Sequence, residues 1–476
     1  MRKTAFSLLI LCFLLVSFLK AQTPVSGGIY ANTTWTLANS PYIMTGPVVV
    51  FPGKTLTIEP GVEVRVKYGG IPNTGLMHYL EVRGSLVAVG TLNNPIVFKS
   101  DTLPTEFTWL GINMKGTQGG TINMDYFELN NAFNGIYSDQ QGAPTWDLHH
   151  CTFRYNNYAV QPFGPMNFYD CIFQYNGQAI ASNWQVYHNI LLKRCELSNN
   201  TSCNGFQSDL SVDSCVIRDN RNGIWHTAGA ITNTLFEGNT YAIYSVDANI
   251  SNCIFNNNHK GLMEFLGEAD NCSFSGNGLA AEMATGGRLT NSSFLNDTVA
   301  VAYAAALTAN VPGPVVLQNR ICGSVNYYFE NKSDLNFALD QNCFCETDST
   351  IIEGLIFDGY DDFTRGLFNY AIYDSTCQTI LQYVTKVNLP TNTDLAFEGS
   401  FKLYPVPAGD QIFLALPANL AGDNRLASLH DAQGRQLGAP QRIASEELSW
   451  DLSQLASGMY FVRISGDVPV SLKFVK

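Results

Sequence analysis

Residues 151–160 read CTFRYNNYAV and residues 171–180 read CIFQYNGQAI, and this ten-residue phrase decides the fold. It returns as CVIRDNRNGI at 215–224 and as CIFNNNHKGL at 253–262. The shared pattern is Cys, a large apolar residue two positions on, Asn after three more, and then a small residue followed by an aliphatic one. A phrase that returns about every 20 residues indicates a repeat architecture.

A column of asparagines runs through these copies, and weaker copies that start at Asp125, Cys195, Thr234 and Ser292 extend it. We expect an asparagine at a turn of each repeat, because Asn tolerates a left-handed backbone and its amide bonds to the coils above and below. The predicted members are Asn130, Asn156, Asn176, Asn200, Asn220, Asn239, Asn258 and Asn277, with Asp297 as the ninth.

The spacing within the phrase indicates strands. Cys and Phe lie two positions apart, so both point to the same face of a strand. Each unit is too short to bury its own apolar face and must stack on its neighbours, at about 4.8 Å per coil. The repeat shows neither a leucine lattice nor a 3.6-residue period, which argues against leucine-rich and helical repeats. The sequence therefore predicts an all-β parallel solenoid with internal columns of Cys and Phe.

Composition and charge exclude several classes of function. The chain has 476 residues, more than the roughly 250–300 that a single core supports, so we expect several domains or an elongated repeat. Charged residues make up only 14%, and the surface is expected to be rich in Asn, Ser, Thr and Gly. The net charge of −13 argues against a nucleic-acid partner and against binding to an anionic membrane.

Residues 1–21 are predicted to be a cleaved signal peptide. Arg2 and Lys3 form a positive start, and residues 7–19 form an apolar run. This run of 13 residues is shorter than the roughly 20 that a bilayer-spanning helix needs. We place the cleavage after Ala21 and expect an exported chain without a transmembrane segment.

The chain from about residue 45 to 375 resembles right-handed parallel β-helix repeat proteins. The matching phrases are PGKTLTIEPG at 52–61, GSLVAVGT at 84–91, NPIVF at 94–98, WLGI at 109–112 and FDGYDD at 357–362. The first four resemble the opening coils of that family, and the last resembles a closing coil. The resemblance implies a right-handed parallel β-helix over residues 22–385 with a cap at each end, and it implies no particular activity.

A second domain is predicted at residues 401–476. Residues 386–400 are polar and contain Pro and Gly, which is typical of a linker. The short alternating strands that follow, with a turn at 431–434, predict a small Ig-like antiparallel β-sandwich.

Three phrases in this second domain resemble a sorting signal. LYPVP at 403–407, LASGMYFV at 455–462 and the terminal KFVK are similar to the C-terminal sorting domain of the type IX (Por) secretion system of Bacteroidota. Val406 stands where the family phrase has Asn. The resemblance implies that residues 401–476 engage the type IX machinery. It also implies that the protein reaches the outer cell surface or the medium.

Eleven cysteines remain once Cys12 of the signal peptide is removed, an odd number. We expect disulfides among Cys322, Cys343, Cys345 and Cys377, with the pairing left open, because an exported chain meets an oxidising setting. Zinc binding at Cys343 and Cys345 is the weaker alternative, since a Cys-x-Cys lacks paired histidines. Six further cysteines are expected to pack in the inward column as free thiols: Cys151, Cys171, Cys195, Cys215, Cys253 and Cys272.

Charged side chains flank the Cys column on the outside. His150, Asp170 and Arg194 precede it in consecutive coils, and Glu196 and Arg154 follow it. Polysaccharide lyases and hydrolases of this architecture use carboxylates as acid, base or calcium ligands and use Arg to neutralise a uronate. These five residues are therefore candidates for catalysis or glycan binding. The alternative is a salt-bridged ladder of surface side chains.

Aromatic side chains form a second candidate patch. Tyr137, Trp225, Tyr244 and Met263 hold the outward position just after the aliphatic residue of the phrase. Exposed rings stack on the apolar face of a sugar, so these residues predict a ligand contact, with Trp225 and His226 as the strongest pair. The alternative is local packing beneath loops.

Three carboxylates in the predicted closing coil, Asp358, Asp361 and Asp362, are weak candidates for Ca²⁺. Their spacing does not match an EF-hand loop, and the alternative is a capped turn with solvated carboxylates. No other cofactor is predicted.

Three classes of function stay open. The first is an exported β-helix protein that binds glycan or a surface partner, the second is a polysaccharide lyase or glycoside hydrolase, and the third is a structural surface protein. The sequence contains no nucleophile elbow, phosphate loop or zinc-helix motif, so it does not establish an enzyme. The fold does not choose either, because one architecture hosts many functions.

Overall fold

The computed structural model describes residues 22–69, 77–101, 107–139, 145–181, 189–205, 209–307, 312–339, 341–370, 402–404, 410–415, 426–431, 435–442, 447–456, 458–464 and 470–476. The predicted signal peptide, the predicted linker at 386–400 and Cys377 lie outside these residues. No helix within the described ranges is long and apolar enough to cross a membrane.

The described residues between 22 and 357 form coils of three short strands, and each strand pairs in parallel with its equivalent in the next coil. We call the three faces sheet A, sheet B and sheet C, in the order in which a coil crosses them. The 13 strands of sheet A are Thr33–Trp35, Thr55–Ile58, Ser85–Val89, Thr121–Asp125, Trp146–His149, Met166–Tyr169, Asn189–Lys193, Asp209–Asp213, Ile231–Thr232, Asn249–Ser251, Glu268–Asp270, Arg288–Thr290 and Val315–Leu317.

Sheets B and C share the strands Thr23–Ile29 and Tyr42–Val50, which both turn the corner between them. Sheet B continues with Glu63–Val66, Ile96–Ser100, Phe127–Asn130, Thr152–Arg154, Ile172–Gln174, Glu196–Ser198, Val216–Arg218, Leu235–Glu237, Ile254–Asn256, Ser273–Ser275, Ser293–Leu295, Arg320–Cys322 and Cys343–Phe344. Sheet C continues with Tyr79–Val82, Gly111–Met114, Asn134–Ser138, Tyr158–Gln161, Gln178–Ile180, Ser202–Asn204, Asn222–Trp225, Tyr241–Tyr244, Lys260–Phe265, Leu279–Met283, Val299–Tyr303, Tyr327–Asn331 and Ile356–Phe357. This arrangement is a parallel β-helix, as the repeat predicted.

Like side chains stack inside the coils. Phe236, Phe255, Phe274 and Phe294 are buried on the inner side of sheet B. Their rings lie nearly parallel, with successive centroids 4.9, 4.7 and 4.6 Å apart. Such aromatic pairs stabilise a fold by about 0.5–1.5 kcal/mol each beyond the burial of their area. The inward alternation predicted from the Cys–Phe spacing is therefore confirmed.

The asparagine column forms a buried ladder at the corner between sheets B and C. Its rungs are Asn156, Asn176, Asn200, Asn220, Asn239, Asn258, Asn277 and finally Asp297. Each rung after Asn156 accepts, at one side-chain oxygen, hydrogen bonds from both the backbone N–H and the Nδ2 of the rung before it, at 2.7–3.1 Å. The ladder satisfies backbone groups that the turn would otherwise bury without partners.

Two details of the predicted column are wrong. The left-handed backbone belongs to the residue before each ladder asparagine, as at Tyr155 (φ 57°), and not to the asparagine itself. Asn130 is not a rung, because it pairs with Arg154 on sheet B. Ala132 holds the rung position instead, and its N–H donates to Asn156 Oδ1 at 2.9 Å.

The six cysteines of the inward column are buried and free, at the corner between sheets A and B. The backbone N–H of Cys151 donates to Cys171 Sγ at 3.3 Å, so the thiols take part in a ladder of their own. Cys203, on sheet C, is a seventh buried free thiol that the repeat phrase did not predict. Burial raises the pKa of Cys203, which keeps that thiol protonated.

A disulfide fastens the last coils. It joins Cys322 on sheet B to Cys345 in the following coil, and Cys343 is also disulfide-bonded. The alternative of a zinc site at Cys343 and Cys345 is therefore wrong. The remaining elements of the β-helical part of the chain are the helix Ser349–Glu353, the paired strands Phe337–Ala338 and Phe368–Asn369, and the 3₁₀ turns Leu37–Asn39 and Gly116–Gln118.

The described residues from 402 onward form a second compact unit with its own core. One antiparallel sheet contains Lys402–Tyr404, Gln411–Ala415 and Glu447–Asp451, and the other contains Leu426–Asp431, Gln436–Arg442, Met459–Ile464 and Val470–Val475. Ile412, Trp450 and Val462 are among the residues buried between them. The C-terminal Lys476 donates from Nζ to the carbonyl of Leu455 at 2.8 Å, which anchors the end of the chain.

Candidate functional site

The charged residues beside the Cys column lie where the repeat placed them, at the outer corner between sheets A and B. His150, Asp170 and Arg194 all have a left-handed backbone, with φ of 49°, 57° and 52°. His150 Nδ1 lies 2.8 Å from Asp125 Oδ1, and its ring stacks on Tyr126. Arg194 makes two hydrogen bonds to Asp170, at 2.8 and 2.6 Å. These three side chains are therefore divided between two separate pairs.

Glu196 and Arg154 lie on the outer side of sheet B. The Glu196 carboxylate is nearly buried and accepts from Arg218 at 2.7 Å and from Ser198 Oγ at 3.0 Å. Arg154 donates from Nε to Gln174 Oε1 at 3.2 Å. The five candidates thus form ladders of neutralised or hydrogen-bonded side chains along the helix axis, the alternative that the sequence left open.

We expect the double substitution of His150 and Asp170 by Ala to give the same result as the wild type in a screen of glycans. The stability cost should be about 1 kcal/mol, because the pairs with Asp125 and Arg194 are partly exposed and such pairs contribute little. Chemical denaturation and a glycan-binding screen of the purified variant check this. Loss of binding with an unchanged fold would return these residues to the list of ligand contacts.

The aspartates of the closing turn are engaged by protein donors. Asp358 is buried and accepts the N–H groups of Tyr360 and Phe368, at 2.9 and 2.7 Å. Asp362 accepts from Thr364, and these hydrogen bonds lower the pKa of its carboxyl. Asp361 Oδ2 accepts from the Asp358 N–H at 3.2 Å. Among the described residues, no three Asp, Glu, His or Cys side chains are grouped so that they could hold a metal ion.

The aromatic candidates do come together on sheet C. Trp225 and Tyr244 occupy the same outward position of adjacent coils, and Met263 follows in the next one. The ring centroids of Trp225 and Tyr244 lie 6.1 Å apart at 60°. His226 lies beside both, 5.0 Å from Trp225 and 5.8 Å from Tyr244.

Trp225, Tyr244 and Met263 line an open groove of about 330 Å³, which we call the aromatic groove, and His226 lies beside it. Its other lining residues are Asn222, Gly223, Ile224, Tyr241, Lys260 and Glu264. The volume lies at the lower end of the range of roughly 300–1,000 Å³ seen for small-molecule sites. The groove is therefore large enough to hold a small molecule or part of a larger one.

Asn204 fixes the backbone beneath the indole. The Asn204 Oδ1 accepts a hydrogen bond from the backbone N–H of Trp225 at 2.8 Å, and its Nδ2 donates to the backbone carbonyl of Trp225 at 2.6 Å. Asn204 is buried at the end of its strand, in the inner column where the neighbouring coils carry aliphatic residues. The Asn204 side chain thus forms with the Trp225 backbone the two hydrogen bonds that a residue of a neighbouring strand would form. It thereby fixes the backbone at the edge of the groove.

Tyr137 does not belong to this groove. Its strand is four coils before that of Trp225, or roughly 19 Å at the spacing of stacked strands. Its ring packs edge-on against Phe163, with centroids 5.5 Å apart. The predicted ligand contact at Tyr137 is therefore separate from the other three aromatic positions.

Sequence reasoning missed Tyr241, Lys260 and Glu264. Tyr241 and Lys260 stand opposite each other at the first position of adjacent sheet C strands, so the 19-residue step could have found both. Glu264 lies in a register shift between Leu262 and Phe265, where the repeat is broken. No signal in the repeat phrase gives the position of such a residue.

The fold and the aromatic groove define a class: a parallel β-helix protein with an outward aromatic groove and a separate C-terminal sandwich. Residues 110–299 match the family described as right handed beta helix region. Residues 402–475 match the secretion system C-terminal sorting domain. Both resemblances noted in the sequence are confirmed. The sorting domain marks the protein for type IX export, to the cell surface or into the medium.

The chain is also similar, at low scores or over short stretches, to several known proteins. Protein bark beetle of Drosophila melanogaster is 37% identical over 73 residues, which span 15% of this chain and 2% of that protein. The tailspike of E. coli bacteriophage HK620, solved with a pentasaccharide, is 11% identical with a TM-score of 0.28, over 98% of this chain and 88% of its own. Endopolygalacturonase I from Stereum purpureum is 12% identical with a TM-score of 0.22, over 74% of this chain and 93% of its own.

Proposed function

We propose that this exported β-helix protein binds carbohydrate in the aromatic groove of sheet C. The observation that carries the proposal is the placement of Trp225 and Tyr244 in adjacent coils, both half-buried and both directed outward around a groove of about 330 Å³. Rings that keep part of their faces open to solvent offer an apolar surface to the C–H face of a sugar. Exposed aromatic clusters on a polar protein mark contact sites.

The surroundings of the rings support the same function. Met263 packs with Leu279 and Ala302 into a small apolar cluster on the outside of sheet C, and Tyr241 and Tyr244 pack against it. This packing holds the rings in place before a ligand arrives, which reduces the entropy lost on binding. Asn222, Lys260 and Glu264 at the rim supply the polar atoms that sugar hydroxyls require.

Replacing Trp225 by Ala is expected to weaken binding of the recognised glycan at least about tenfold, the loss that corresponds to about 1.4 kcal/mol. The indole provides the largest ring of the groove, and buried aromatic contacts dominate binding energies. The purified protein is first screened on a panel of polysaccharides, with detection of released products in parallel. Isothermal titration calorimetry on the strongest ligand then compares the variant with the wild type.

The matched control is Tyr155→Ala. Tyr155 is an exposed ring at the corner between sheets B and C and stacks on Tyr175 at 5.3 Å, away from the groove. Its removal should leave the affinity unchanged. Equal affinities of wild type and the Trp225 variant would contradict the proposal.

A further inference from the structure

The aromatic groove carries a carboxylate among its rings. Glu264 is exposed, and the Tyr244 hydroxyl donates to its Oε1 at 3.3 Å. Burial raises the pKa of Tyr244, and the carboxylates of Glu264 and Glu282 raise it further. Glu264 therefore places a negative charge beside the Tyr244 ring.

Lys260 and His226 are the basic side chains at this site. Burial lowers the pKa of His226, and this effect outweighs the opposing effect of Glu264, so the imidazole is neutral at neutral pH. The Lys260 ammonium lies over the ring of Tyr241, 5.5 Å from its centroid. A cation thus already occupies one aromatic face of the groove, held by the ring quadrupole.

The rings are set at steep angles to one another. Tyr244 meets Trp225 at 60°, Tyr241 at 71° and His226 at 88°. Rings that are inclined in this way can surround a compact group while one of them still offers its face to a sugar ring. A carboxylate beside several aromatic faces is the arrangement that recognises ammonium groups.

We propose that the group bound in the aromatic groove is a positively charged amine, carried by an amino sugar with a free ammonium group. This inference rests on the proposed function and names its ligand class. The ammonium pairs with Glu264 and lies against the faces of Trp225 and Tyr244. The net charge of the chain, −13, favours the approach of such a ligand. A uronate would meet Glu264 as a like charge.

The test uses two oligosaccharides of equal length, an oligomer of glucosamine and its fully N-acetylated counterpart, at slightly acid pH. They share a backbone and differ in charge. Calorimetry with the full chain should show binding of the amine-bearing oligomer about tenfold tighter than that of the acetylated one. Glu264→Gln should remove this preference, and raised salt should weaken it.

Glu268→Gln is the matched control, because Glu268 is exposed on sheet A, four residues along, and loses the same charge. It should leave both affinities unchanged. Lys260→Gln should strengthen binding of the amine-bearing oligomer, since it frees the face of Tyr241 and removes a like charge. Thermal melts of each variant show that the fold is intact.

Two results would overturn the inference. One is equal or tighter binding of the acetylated oligomer that still depends on Trp225, which leaves carbohydrate binding in place and removes the charge preference alone. The other is binding of neither oligomer. The proposed function itself is lost only when no glycan of the polysaccharide panel shows binding that depends on Trp225.

Discussion

Replacing Asn239 by Ala is expected to lower the free energy of unfolding by about 4 kcal/mol, the largest effect of any single substitution proposed for this chain. Asn239 is buried in the middle of the ladder. Its Oδ1 accepts two hydrogen bonds from Asn220, and its Nδ2 donates to the Ile217 carbonyl and to Asn258 Oδ1. Alanine removes all four and leaves the buried partners unsatisfied, which costs more than the bonds contribute.

Chemical denaturation of the purified variant measures this loss. Asn256→Ala is the matched control, because Asn256 lies in the next coil on the outer side of sheet B and its side chain donates to Glu237 Oε1 at 2.9 Å. The control should lose less than about 1 kcal/mol, since its partner keeps access to water. Similar losses at the two positions would show that the buried ladder does not stabilise the coils.

The ladder also shows how far the repeat predicts the structure. The step of 19 or 20 residues and the alternation of Cys and Phe predict parallel stacking, and the stacked rings of Phe255 and Phe274 follow directly from it. Identity of residue type does not fix the register where a coil differs in length. Asn130 matches the phrase by type, yet Ala132 holds the rung, because backbone pairing decides the alignment.

The register of the coils also explains which parts of the candidate sites could be predicted from the sequence. Register predicts that Trp225, Tyr244 and Met263 are neighbours, and they are. The register does not predict which of several neighbouring charged side chains form a pair. His150 lies against Asp125 rather than Asp170. The position of Glu264 could not be predicted from the repeat, because Glu264 lies in a bulge that has no counterpart in the adjacent coils.

The last rung of the ladder is the carboxylate of Asp297, and we expect its replacement by an amide to stabilise the protein. Asp297 Oδ1 accepts from the backbone and the side chain of Asn277, at 2.7 and 2.8 Å, as an asparagine oxygen would. Its Oδ2 is buried and has no hydrogen-bond partner among the residues that the structure describes. In the preceding rung the corresponding atom is Asn277 Nδ2, which donates to the Phe255 carbonyl at 3.0 Å. An ionised oxygen at that position has nothing to donate.

Burial raises the pKa of Asp297 to about 6. The unfolded carboxyl releases its proton near pH 4, so between about pH 4 and 6 the folded state binds more protons than the unfolded state. Stability therefore falls as the pH rises through this window. Above it both states are ionised, and the folded state carries a constant penalty of about 3 kcal/mol, at about 1.4 kcal/mol for each unit of pKa.

Asp297→Asn should remove that penalty, since its Nδ2 restores a donor where Oδ2 has none. We expect the variant to be more stable than the wild type by up to about 3 kcal/mol at pH 7–8 and nearly equal to it below about pH 4. Denaturation at a series of pH values measures the difference. Asp270→Asn is the control, because Asp270 is an exposed sheet A carboxylate that accepts hydrogen bonds from Thr290 and Asn291. The difference in stability between this variant and the wild type should not change between about pH 4 and 6 in the way expected for Asp297→Asn. A gain at Asp297 that stayed constant over the whole series would mean that the buried carboxyl does not titrate there, and that the ladder tolerates a negative charge at its end.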